Sequence, residues 1–73
     1  MEEGKGGNLE KLGHLLVHWI EHNQAHEEGY LKWIERAESD GRRDVAGEIQ
    51  KSLELSKKMS RCFEKARALL KGD

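Results

Sequence analysis

Four histidines, His14, His18, His22 and His26, follow one another at four-residue steps, and the chain has no others. On a helix, side chains four apart lie one turn above each other, so each neighbouring pair can chelate one divalent ion. Neutral imidazole suits Zn, Ni, Cu and Co. Because only the unprotonated ring coordinates, acid is expected to weaken binding. Each four-residue step also turns the stripe by about 40°, so two or three of the four rings can share an ion. Heptad counting puts His26 on the seam between helices, His22 on its shoulder, and His18 and His14 progressively in solvent. The expected ligands of a Zn, Ni or Co ion are His22, His26 and His18, joined by the thiol of Cys62.

These side chains need helices to hold them, and the apolar spacing supplies two. Leu12, Leu16, Trp19, Asn23, His26, Tyr30, Trp33 and Ala37 advance in alternating steps of four and three. After Ser39-Asp40-Gly41 the pattern resumes as Val45, Ile49, Ser52, Ser56, Met59, Phe63, Ala66 and Leu70. Gly41 suits the left-handed position that ends a helix. Asn8 and Asp44 are the expected N-caps. The chain contains no proline, so nothing in either stretch forbids an unbroken helix. The fold expected is all-α: helix 1 over 9–39 and helix 2 over 43–71, antiparallel in an αα-hairpin. Residues 1–8 are expected to be a disordered lead-in, and 9–73 a single domain. A break near Gly29, giving three helices, is the alternative.

The apolar stripe is wider than one seam needs. Leu9, Ile20, Leu31 and Ile34 flank it on one side of helix 1, and Leu55, Cys62 and Leu69 on one side of helix 2. A lone hairpin would leave such a flank in water. Homodimerisation into a four-helix bundle is therefore expected. With Ala37 facing Val45 across the turn, His22 comes level with Ser60, and His18 with Glu64. Cys62 then lies within about one turn of His22 and His18, a three-ligand zinc set with an open position. Without the cysteine, a two-fold axis would bring His22 and His26 of both subunits together.

A second reading needs no metal. Asn23 and His26 face Ser52, Ser56 and Ser60 in this register, and polar groups on a seam fix register and oligomer state through hydrogen bonds. The chain would then be a homodimeric structural or protein-interaction module.

Composition narrows the classes further. Seventy-three residues and 8.4 kDa leave room for one small domain. One cysteine cannot form an internal disulfide. A net charge of −1 drives binding to neither nucleic acid nor an anionic membrane. That figure hides an acidic first half, residues 1–38, and a basic second half, which suits a folded-back pair. No apolar run reaches the roughly 18 residues of a membrane span. Met1-Glu2-Glu3-Gly4 resembles no signal peptide, so the cytosol is the expected compartment. An enzyme is not expected. Asn23-x-x-His26 lacks the bridging glutamates of a di-iron site, and Cys62 has no orienting acid.

The run His14-Leu15-Leu16, then His18-Trp19-Ile20-Glu21-His22-Asn23 with His26, Tyr30 and Trp33, resembles a small family of uncharacterised helical-hairpin domains from anaerobic bacteria and archaea. The resemblance covers residues 9–70. Some members carry a His-rich tract ahead of the domain and are labelled nickel, cobalt or zinc handling proteins. This chain has Met1–Asn8 in that place. What the resemblance implies is a helical fold and a link to those metals.

Overall fold

With no proline to interrupt it, the backbone ladder runs through two long helices joined by one tight turn. A computed structural model describes residues 2–72, with side chains from residue 7 onward. Helix α1 spans Glu2–Ser39 and helix α2 spans Arg43–Leu70. Among the described residues there is no strand. Gly29 lies inside α1, which continues through it without a break. The start of α1 is seven residues earlier than the expected start at 9, and Asn8 lies within the helix rather than capping it. Residues 2–8 are thus helical where a disordered lead-in was expected; Met1 lies outside the described residues. Glycine weakens a helix by only about 1 kcal/mol per residue, too little to stop one that is already propagating.

The turn closes as the glycine placement requires. Gly41 has φ 77°, a conformation that costs other residues a steric clash. Its N–H donates to the Glu38 carbonyl at 3.0 Å, and the Arg42 N–H donates to Ala37 at 2.8 Å. This pair of bonds is the Schellman closure of a helix end. At the start of α2 the N-cap is Arg42, which makes no side-chain cap bond. Asp44, expected to be the cap, instead lies in the first turn and accepts the Val45 N–H at 2.8 Å and two Arg42 guanidinium bonds. The Arg42 guanidinium, then the Val45 N–H, hold its carboxyl below the usual carboxylate range. A depressed carboxylate stabilises the fold above its unfolded pKa, and that contribution is lost as pH falls through the folded value. Asp44→Asn should therefore melt slightly earlier than the parent near neutrality, and the gap should close in acid. Equal melting temperatures at neutral pH would contradict this.

The two helices share one seam. Leu16, Ile20 and Ile34 of α1 and Ala46, Leu53 and Ser56 of α2 are buried. Tyr30, Ala37 and Ile49 pack against Ile34, Ala46 and Leu53. The seam contains the expected positions 16, 23, 30 and 37, and 49, 56, 63 and 70. Between them it uses Ile20, Glu27 and Ile34, not His26 and Trp33, while Trp19 lies at the seam's edge with its ring 5.5 Å from that of Phe63. In α2 likewise it uses Ala46, Leu53 and Ser60, not Val45, Ser52 and Met59. Every second seam residue is thus displaced by one, the same way in both helices. Close packing of two helices favours compact side chains. Ile34 meets Ala46 and Leu53, while Trp33 is left 60% exposed. The hairpin measures 57 × 18 × 14 Å.

Candidate metal centre

The displaced seam decides where the histidines point. All four are exposed, and His26 leaves the interior for the shoulder, with Glu27 taking its place. His22 and His26 meet directly: their Nε2 atoms are 2.9 Å apart and their ring centroids 4.4 Å, the rings edge to face. One ring donates the proton that the other accepts. His18 stands one turn earlier, its centroid 6.0 Å from that of His22. On the far side His26 stacks over Tyr30 at 6.2 Å, with 15° between the planes. The four rings from 18 to 30 form a ladder up one side of α1.

Two imidazole nitrogens bound to one tetrahedral ion, each about 2.05 Å from it, lie about 3.3 Å apart. His22 and His26 are within a few tenths of an ångström of that, so an ion could replace the shared proton after a small side-chain rotation. The hairpin alone completes no larger shell. Among the described residues no three His, Cys, Asp or Glu side chains converge on a point that could hold a metal. Cys62 is exposed and joins no such group. The structure thus brings His22 and His26 together, keeps His18 one turn away, and does not gather Cys62 with them.

Behind this ladder runs a polar layer that sequence reasoning placed only in part. Asn23 donates from Nδ2 to Ser60 Oγ at 3.1 Å, and Ser56 donates from Oγ to Glu27 Oε2 at 2.6 Å. Asn23, not His22, is level with Ser60, so the register is one residue from the one expected. Ser52 is exposed and turned to its own helix, where its hydroxyl bonds the Glu48 carbonyl. Glu27 was missed, although it stands seven residues from both Ile20 and Ile34, the heptad signature of a shared face. Removing its donor with Ser56→Ala should cost about 1–3 kcal/mol by leaving a half-buried acceptor unpaired. Urea unfolding checks this against Ser52→Ala, which should be close to neutral.

Comparison with known proteins gives a relationship and no activity. A protein of Archaeoglobus fulgidus, described as uncharacterized, is 31% identical over 58 residues, covering 80% of this chain and 92% of that protein. No solved structure matches. The model of a domain of unknown function, DUF8180, matches residues 12–70, which include both helices' shared seam and the His22/His26 pair. The chain belongs to the DUF8180 family.

Proposed function

We propose that the protein is a small metal-binding domain of the cytosol that holds a divalent Zn, Ni or Co ion through His22 and His26 and works as a homodimeric four-helix bundle. The observation that carries this is the 2.9 Å separation of the two Nε2 atoms on an exposed helix face. Four-residue spacing on a rigid helix sets the geometry before the ion arrives, which lowers the ordering cost of binding. His18 offers a further imidazole one turn away. The case for a dimer is the unpartnered apolar side of the hairpin, where Leu55 is 62% exposed and Trp33 60%. Calorimetric titration of metal-free protein with Zn, Ni and Co tests the metal reading. Saturable binding tighter than about 10 μM, or roughly −6.8 kcal/mol, is expected, and His22→Ala should abolish it. Absence of such binding, or binding unchanged in His22→Ala, would overturn it.

A second reading, a homodimeric structural or protein-interaction module without metal, draws support from the Asn23–Ser60 and Glu27–Ser56 pairs. Hydrogen-bonded polar groups on a seam specify register at some cost in stability. Under that reading a chelator changes nothing, and Asn23→Leu raises the melting temperature while broadening the oligomer distribution.

A further inference from the structure

Helix α1 shares one seam with α2 and carries a second regular stripe beside it. Leu12, Leu15, Trp19, His22, His26, Gly29, Trp33 and Arg36 alternate steps of three and four, the repeat of a helix face that packs on another helix. Each position precedes a seam position by one residue. The α2 stripe from Val45 to Leu69 stands in the same relation to its own seam. In an antiparallel pair of right-handed helices, both stripes lie on one side of the hairpin. Trp33, Leu55, Met59 and Leu69 are the most exposed large hydrophobic residues of that side. Its charged positions are Arg36 and Glu48 alone, in a chain that is 37% charged.

The stripe is also complementary to itself. Laid antiparallel on a second α1 about the midpoint of His22 and His26, it sets Leu15 against Trp33 and His22 against His26. The bulky Trp19 then faces Gly29, where open space surrounds the position a side chain would take. The α2 stripe behaves alike, with Val45 facing Leu69 and Leu55 facing Met59. Its midpoint is close to Ser56, which is bonded to Glu27 of α1, so the two midpoints lie within about one helical turn. One two-fold axis across the hairpin serves both helices. Over the 28 residues of α2, at about 1.5 Å each, and the 18 Å width of the hairpin, the face covers roughly 750 Å². A stable dimer buries about 800 Å² per partner.

We infer that this face takes a second copy of the chain, α1 antiparallel to α1, and that the metal is shared between them. His22 and His26 of both copies form one four-imidazole shell on the two-fold axis. This rests on the reading of His22 and His26 as ligands and supplies what a single hairpin lacks. Two imidazoles make half a tetrahedral shell, and structural zinc sites are almost always four-coordinate. Symmetry provides the other half, with the apolar stripe on either side excluding water.

Zinc titration of the full chain, combined with sedimentation velocity, tests this. One ion per two chains and the mass of a dimer are expected. Leu55→Lys, on an exposed side chain away from the histidines, should weaken the dimer and lower zinc affinity at least tenfold. One ion per chain on a monomer would overturn the shared shell while leaving the His22/His26 chelate standing. A dimer that takes up no zinc would overturn the chelate, and with it the shell. Leu15→Cys with Trp33→Cys, in a Cys62→Ser background, reads the register. These positions are about 27 Å apart along one helix, too far for a disulfide within a chain. Oxidation of the zinc-loaded protein should give a covalent dimer, and monomer alone would overturn the antiparallel register.

Discussion

Leu53→Ala should leave much of the protein unfolded at 25 °C. Leu53 is 3% exposed and forms the middle of the core with Ile34 and Ala46. Truncating a buried leucine costs about 2–5 kcal/mol, the lost transfer energy plus a cavity that neighbours only partly fill. Domains are stable by about 5–15 kcal/mol, and one this small sits at the lower end. Within one hairpin Leu53 packs across a single helix–helix interface, so few neighbours can close on the void. Ile34→Ala should behave alike. Leu31→Ala, from a side chain 51% exposed on the opposite flank, should stay within about 1 kcal/mol of the parent. Circular dichroism during urea unfolding separates the three. Equal losses in Ile34→Ala and Leu31→Ala would mean that the seam lies elsewhere on α1.

The second large effect concerns the metal. An ion that binds only the folded state stabilises it by about 2.7 kcal/mol at a hundred times its dissociation constant. For a domain of 60–100 residues, 1 kcal/mol moves the melting temperature by about 4–8 °C. Zinc at that excess should therefore raise melting by about 10–20 °C. Either His22→Ala or His26→Ala should remove most of the rise, since each leaves one imidazole of the pair. His14→Ala should keep it, because His14 lies outside the ring ladder that runs from His18 to Tyr30. A zinc-dependent rise that survives His22→Ala would place the ligands elsewhere. No rise in the parent protein would favour the metal-free module. Neither His22 nor His26 contributes to the seam, so loss of the rise cannot be put down to a damaged core.

Much of the fold was legible because it depends on local chemistry. The absence of proline and two four-three repeats define two long helices. Gly41 stands where only a residue free to take positive φ can end the first of them, and the turn's shortness brings the register to within one residue. The four-residue spacing of His22 and His26 likewise determines that they meet, because α-helical geometry alone stacks them one turn apart. The start of α1 was not legible, since residues 2–8 carry no apolar periodicity to mark it. Nor was the choice between two overlapping stripes. By apolar weight Trp19 and Trp33 outrank Ile20 and Ile34, which draws the seam one residue early and carries His26 into it. Packing applies a different criterion, the fit of one helix surface into the other. Ile34 fits against Ala46 and Leu53, and Glu27 finds the hydroxyl of Ser56. That fit exists only when both helices are in place, and it is what turned His26 out of the seam to the exposed face.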